Sequence, residues 1–182
     1  IKIDTIGIQS HMHQGYWGVE KTERILERFA RFNLPIHFTE TTLISGQLMP
    51  PEIVDLNDYQ VEDWPSTPEG EERQARETLL HYKTLLAHPL VTGITWWDMI
   101  DGQWLNAPCG LLRRDGTPKP AYEELHKLVK GEWWLAPTGF RTDQEGKVKF
   151  RGFLGDYELR YAGRRIPFQL EEKGEVTLKL KL

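Results

Sequence analysis

The sequence predicts an α/β fold of parallel strands covered by helices, followed by a small antiparallel β domain. Three apolar, strand-like segments alternate with three amphipathic helical segments as far as residue 134. That alternation is typical of parallel strands joined by helical crossovers. After residue 137 the chain changes to short alternating segments separated by glycine-containing turns, which indicates an antiparallel sheet. We therefore expect two domains, at residues 1–134 and 137–182, the second a small antiparallel domain that resembles a β-sandwich.

Each element of the first domain has its own local signal. The strands are rich in β-branched or aromatic residues, and the second helix opens with Pro68 and acidic residues in its first turn. The apolar face predicted for that helix is Ala75, Leu79, Tyr82 and Leu86. The predicted elements are, in order, a strand at 3–10, a helix at 20–32, a strand at 36–40, an irregular stretch at 41–66, a helix at 68–88, a strand at 90–97 and a helix at 121–129.

The second domain is predicted from polar–apolar alternation alone. Its last segment reads V-T-L-K-L-K-L, a strict period of two. Four strands are expected, at 147–153, 156–161, 166–170 and 176–182.

Composition excludes several functional classes. The chain of 182 residues carries a net charge of −4, which gives nucleic-acid binding no electrostatic support. No apolar run approaches the roughly 20 residues that span a bilayer. Cys109 is the only cysteine, so an intrachain disulfide and a cysteine-based zinc site are excluded. His11 and His13 alone are a weak zinc signal, and no metal or organic cofactor is expected.

Polar and aromatic residues follow each predicted strand, at the edge where parallel α/β proteins place their active sites. Seven tryptophans are an unusual number for this length, and indoles stack on sugar faces. A carboxylate among such groups suits attack on an anomeric carbon. Trp96 and Trp97 are adjacent and face opposite ways, so one of them is expected to line the site. The candidate residues are Gln9, His11, Glu40, Trp96, Trp97 and Trp104.

Three segments that contain these candidate residues resemble glycoside hydrolase family 10, the retaining endo-β-1,4-xylanases. Residues 6–11 (I-G-I-Q-S-H) are similar to the family's Gly-hydrophobic-Gln-Ser-His strand, and residues 36–40 (I-H-F-T-E) to its Thr-Glu nucleophile strand. Residues 94–104 and the run P-K-P-A-Y at 118–122 resemble its last strand, tryptophan-rich loop and final helix start. The order and spacing of the three are more specific than any one alone.

The resemblance implies that the chain holds strands six to eight of a (β/α)₈ barrel. It implies that Glu40 is the nucleophile and that His11 orients its carboxylate. Gln9 matches a residue of the same site. Trp97 and Trp104 match two indoles that wall the subsite at the cleaved sugar, and Trp96 is the alternative to Trp97.

The sequence departs from the family pattern in two places. The family has Asp two residues after the nucleophile, where this chain has Thr42. The family's general acid/base lies in an Asn-Glu pair, and no such dipeptide occurs here. We therefore expect the acid/base to come from an N-terminal remainder of the barrel, and this chain alone to be inactive.

The resemblance implies a retaining xylanase that acts on xylan or a related β-1,4-glycan. Two alternatives remain open: a non-catalytic β-glycan-binding protein, and an assembly module that complements another half-barrel. A polysaccharide substrate favours a secreted or periplasmic protein. Neither nucleic acid nor a membrane is an expected partner.

Overall fold

A computed structural model describes residues 2–179, which divide into two units at residue 132. The first unit contains three strands and three helices: β1 (Ile6–Met12), α1 (Val19–Ala30), β2 (Ile36–Leu43), α2 (Pro68–Ala87), β3 (Val91–Trp96) and α3 (Pro120–Lys127). A single 3₁₀ turn (Leu56–Asp58) lies between β2 and α2, and a π-helical turn (Leu128–Glu132) follows α3. The second unit contains β4 (Gly155–Tyr161) and β5 (Arg164–Leu170).

The first unit is built on a parallel sheet in the order β1-β2-β3. β2 is central because it pairs with both neighbours, whereas β1 and β3 each pair with one strand among the described residues. The sheet, α1 and α2 share a core of Leu26, Ile36, Phe38, Leu85 and Val91. Parallel strands with helical crossovers confirm the α/β prediction for this part of the chain.

Both site-bearing strands extend further than the sequence predicts. At their carboxyl ends, β1 runs to Met12 rather than ending at Ser10, and β2 runs to Leu43 rather than ending at Glu40, although β1 begins at Ile6 rather than at Ile3. The extensions pair with each other, His11 beside Thr42 and Met12 beside Leu43. Because the two extensions form backbone hydrogen bonds with each other, these residues belong to β1 and β2, although the sequence predicts them to be loop.

The face of α2 that packs inward differs by one residue from the prediction. Leu85 is fully buried, whereas Leu86, predicted to be on the buried face, is 49% exposed. The buried positions Ala75, Thr78, Tyr82 and Leu85 follow the spacing of a helix stripe just as well as the predicted set. Contact with the sheet, not periodicity, selects between the two stripes.

The second unit has fewer strands than predicted. β4 and β5 form an antiparallel hairpin in which Tyr157 lies opposite Phe168. The predicted strand at 147–153 is irregular, and so are residues 176–179 of the predicted last strand; residues 180–182 lie outside the described part. Alternation alone does not make a strand, because a strand also requires a partner for its backbone hydrogen bonds.

Candidate active site

Glu40 lies on β2 opposite Gln9 of β1, just after an irregularity in the strand pairing. Ile8 pairs with Phe38, but Gln9 pairs with Glu40, so Thr39 is an extra residue on β2. Since side chains alternate along a strand, the extra residue reverses the face on which Glu40 would otherwise lie, that of the helix-packed Phe38. The bulge thus directs the carboxylate away from the helices.

Two side chains of β1 hold both oxygens of the Glu40 carboxylate. Gln9 Nε2 donates to Oε1 at 2.7 Å, and His11 Nε2 lies 2.9 Å from Oε2. Gln9 and His11 are two residues apart and therefore share a face of the strand. The Glu40 side chain remains 23% exposed and His11 11%. The carboxylate is thus oriented by two partners and still accessible.

The second nitrogen of His11 faces Thr42. Nδ1 lies 3.3 Å from the Thr42 hydroxyl, which can donate or accept a hydrogen bond. Because Nε2 must carry hydrogen to donate to Glu40, a neutral ring would accept from Thr42 through Nδ1. Thr42 therefore completes the hydrogen bonding of the ring without adding charge.

Two of the three predicted tryptophans lie around His11. The Trp104 ring centroid is 4.7 Å from that of His11, and Trp97 meets the same ring edge-on at 6.2 Å. Trp97 is 40% exposed, which leaves much of its indole surface open. Two indoles therefore lie next to His11, which is the hydrogen-bond partner of the Glu40 carboxylate.

Trp96 lies elsewhere, so its prediction as a sugar contact is not supported by its placement. Its ring stacks on Tyr82 of α2 at 6.4 Å, and its Nε1 donates to the Cys109 carbonyl at 3.1 Å. Neighbouring residues of a strand face opposite sides of the sheet, and Trp96 faces the side on which α2 packs.

Sequence reasoning considered His13 only as a weak zinc partner of His11 and missed its position behind the site. His13 is fully buried and lies 6.1 Å from His11, 6.1 Å from Trp64 and 5.2 Å from Trp104, centroid to centroid. Burial, and secondarily the neighbouring His11, lower the pKa of His13 to about 4. Its two-residue spacing from His11 was the available signal. No group of three His, Cys, Asp or Glu side chains within residues 2–179 is arranged to hold a metal ion.

A buried ion pair braces the loop that carries Trp104. Lys119, fully buried, places Nζ 2.5 Å from Asp101 Oδ1 and 2.8 Å from the Ser45 hydroxyl. Asp101 also accepts from the Gly110 amide at 2.8 Å and from the Ser66 hydroxyl at 3.0 Å. Burial lowers the pKa of Lys119, and Asp101 opposes that shift. The brace joins the segments after β2 and β3 to the start of α3.

Comparison with known proteins agrees with this architecture. The sequence profile of Glycosyl hydrolase family 10 matches residues 1–128. Endo-1,4-beta-xylanase B of Cellvibrio japonicus is 28% identical over 119 residues, which are 65% of this chain and 16% of that protein. No helix within residues 2–179 is both long and apolar enough to cross a membrane.

Solved xylanases share the fold of the first unit. A thermostable mutant of a xylanase from Cellvibrio japonicus superposes with a TM-score of 0.53 at 25% identity, over 71% of this chain and 40% of that one. Xylanase 10B from Thermotoga petrophila, solved with xylobiose, gives 0.52 at 22% identity, over 71% and 37%. The chain thus spans well under half the length of these xylanases. The family match covers most of the chain, which therefore belongs to glycosyl hydrolase family 10.

Proposed function

We propose that this chain carries the nucleophile half of a retaining endo-β-1,4-xylanase site, with Glu40 as the nucleophile. The observation that supports this most is the pair of hydrogen bonds from Gln9 and His11 to the two Glu40 oxygens. They orient a carboxylate that is still partly exposed. Fixed geometry of this kind is what an attacking group needs, because misplacement of the reacting atoms raises the barrier.

In the proposed reaction a Glu40 oxygen attacks the anomeric carbon of a xylose unit. The bond from that carbon to the glycosidic oxygen breaks, and the oxygen takes a proton from an acid. Water then attacks the same carbon, the bond from that carbon to Glu40 breaks to regenerate the carboxylate, and the conjugate base of the acid takes the proton of the water. His11 orients the carboxylate, Gln9 contributes a polar contact, and Trp97 and Trp104 offer flat surfaces to the sugar rings.

The acid/base of this reaction comes, in our proposal, from barrel strands outside the 182 residues. A retaining site needs its second carboxyl group about 5–5.5 Å from the nucleophile. β1 and β3 each have one edge without a partner strand among residues 2–179, and these edges are where neighbouring strands of a closed barrel would pair. The whole enzyme would act on xylan or a related β-1,4-glycan and, given a polysaccharide substrate, be secreted.

An activated sugar tests the nucleophile without the missing acid. A 2-deoxy-2-fluoro-β-xylobioside with a dinitrophenolate leaving group needs no proton, since dinitrophenolate leaves as a stable anion. The 182-residue chain should gain the mass of one fluoroxylobiosyl group, mapped by peptide sequencing to Glu40, while Glu40→Gln should gain none. Labelling of another residue, or equal labelling of the parent chain and of Glu40→Gln, would contradict the proposal.

A non-catalytic β-glycan-binding protein is the second candidate, favoured by the uncharged Thr42 beside His11. Binding of xylo-oligosaccharides by both the parent chain and Glu40→Gln, with no covalent labelling of either, would support this candidate. On the catalytic proposal, the chain alone should still release no sugar from xylan, because the acid normally contributes about 10²–10⁴-fold. Turnover by the purified chain would contradict that expectation.

A further inference from the structure

His13 is a buried histidine whose ring makes no hydrogen bond in the described part of the chain. Its side chain is fully buried, and neither Nδ1 nor Nε2 has a partner there. An unpartnered polar atom in the interior costs free energy that an apolar side chain would not cost. Hydrogen bonding therefore does not account for an imidazole at this position, and its ring contacts are what remain.

The His13 ring contacts a well-anchored part of the long loop between β2 and α2. Its centroid lies 6.1 Å from that of Trp64, which is 3% exposed and donates from Nε1 to the Gln47 carbonyl at 2.8 Å. The His13 carbonyl accepts from the Met49 amide at 2.9 Å, and Met49 and Trp64 belong to the same buried cluster. This loop therefore holds both the backbone and the ring of His13.

The same ring contacts Trp104 on the loop after β3. The two ring planes are nearly perpendicular, at 85°, and the centroids are 5.2 Å apart, within the range of aromatic pairs. Trp104 meets one other ring among the described residues, that of His11, at 4.7 Å. In contrast to Trp64, its indole nitrogen donates to no described residue. The orientation of the Trp104 indole therefore depends on ring contacts rather than on a hydrogen bond.

We propose that His13 is a positioning residue of the candidate site: its buried ring holds the Trp104 indole against His11, the partner of Glu40. The ring links the anchored loop after β2 to the indole on the loop after β3. It acts through its aromatic ring and not through its nitrogens, so phenylalanine should replace it and leucine should not. The consequence for sugar binding rests on the proposed function, whereas the placement of Trp104 does not.

The first test measures the placement of Trp104 by NMR and needs no activity. In the parent chain, nuclear Overhauser contacts should join the Trp104 indole protons to the ring protons of both His11 and His13, and the absence of either contact overturns the proposal. His13→Leu should lose the contact between Trp104 and His11, and His13→Phe should keep it. A contact between Phe38 and His81, whose ring centroids lie 5.7 Å apart, reports that each variant is folded.

His126→Leu is the matched control for this test. It also removes a histidine ring that stacks on an aromatic neighbour, Tyr122 at 6.1 Å, but at an exposed position of α3. The contact between Trp104 and His11 should be unchanged in this control. The proposal is overturned if that contact persists in His13→Leu, or if His13→Phe loses it as well.

The second test measures sugar binding and reaction separately, through the labelling of Glu40 by the activated fluoroxylobioside. A displaced Trp104 weakens stacking on the sugar, while Glu40 keeps its hydrogen bonds to Gln9 and His11. The reagent concentration that gives half the maximal labelling rate should therefore rise about fivefold in His13→Leu, the contribution of one aromatic contact, with the maximal rate within about twofold of the parent. His13→Phe should restore the parent concentration.

The outcomes separate this proposal from the proposed function. A merely structural role would lower the fraction of chains that become labelled without moving the half-maximal concentration, and that result overturns the role in sugar binding. A parent chain that is not labelled at all contradicts the nucleophile assignment, and the Overhauser contacts then decide the role of His13 by themselves. If His13→Leu fails to fold, the parent chain and His13→Phe decide it, because loss of the contact between Trp104 and His11 in His13→Phe overturns the proposal.

Discussion

The two units of this chain use the same kind of alternating sequence with opposite results. In the first, three strands pack under helices and bury side chains such as Phe38 and Leu85 completely. In the second, no described residue is fully buried, and the apolar face of its hairpin is only half-covered. Its aromatic contacts are local, with Tyr157 stacked on Phe168 at 5.3 Å and Phe150 edge-on to both.

The difference shows what turns a pattern into a structure. Helices linked to the strands provide the first unit with a second layer, and burial between layers is the main stabilising contribution. A two-stranded hairpin without a second layer is marginally stable at best. The site residues accordingly lie in the first unit, where backbone positions are fixed by packing.

The largest expected effect is the loss of a core ring from the first unit. Phe38→Ala removes a fully buried side chain from the centre of the sheet. We expect the free energy of unfolding of this unit to fall by about 4 kcal/mol, from lost burial and the cavity left behind. Urea denaturation followed by far-ultraviolet circular dichroism measures it. A loss below 1 kcal/mol would erase the contrast between the units.

The brace should give the next largest effect. Lys119→Ala leaves Asp101 buried without its cation, and we expect a loss of about 3 kcal/mol. Lys127 is a matched control, since it pairs with Glu124 three residues away and is 66% exposed. Lys127→Ala should change the free energy of unfolding by less than about 0.5 kcal/mol. Equal losses in the two variants would show that burial of the pair is unimportant.

Acid should weaken the first unit specifically, because all six histidines precede residue 132. Burial lowers the pKa of both His13 and His81 to about 4, against 6.5 in the unfolded chain. Between these values the unfolded chain binds more protons, so stability falls as the pH falls. Each ring should contribute a loss of about 2 kcal/mol between pH 7 and pH 5.

A replacement that cannot titrate checks this pH dependence. His81 is surrounded by the rings of Tyr16, Trp17 and Phe38, all edge-on to it. His81→Phe should therefore lose less stability between pH 7 and pH 5 than the parent chain. The control His126→Phe, at an exposed position of α3, should lose as much stability as the parent chain. If His81→Phe lost as much stability between pH 7 and pH 5 as the parent chain, His81 would not be a cause of the pH dependence.

The smallest effect is expected in the second unit. Phe168→Ala removes the half-buried partner of Tyr157. The loss should be about 1 kcal/mol or less, the contribution of one aromatic pair. The NMR chemical shifts of residues 155–170 report it, while those of the first unit serve as the internal reference. A loss as large as that of Phe38→Ala would show that the second unit has a core of its own.

Much of the candidate site follows from strand order and period. Parallel strands bring their carboxyl ends to one edge of the sheet, so strand order and period alone predict that Gln9, His11 and Glu40 lie together. The bulge at Thr39 was not predictable, because the same residues without an extra one would turn Glu40 toward the helices. The sequence likewise does not distinguish Trp96 from Trp97 as the residue that lines the candidate site. Only the packing of α2 against one side of the sheet distinguishes them.

Periodicity and short motifs are local properties of the chain, so the fold class, the family resemblance and the residue types of the candidate site can all be predicted from the amino-acid sequence. Packing and strand pairing in the folded chain set how far β1 and β2 extend, which face of α2 is buried and which alternating segments become strands. They also brought Lys119 to Asp101, and the Trp104 ring against His11. These outcomes depend on partners distant in sequence, and hydrogen bonds and burial are realised only when both partners are present.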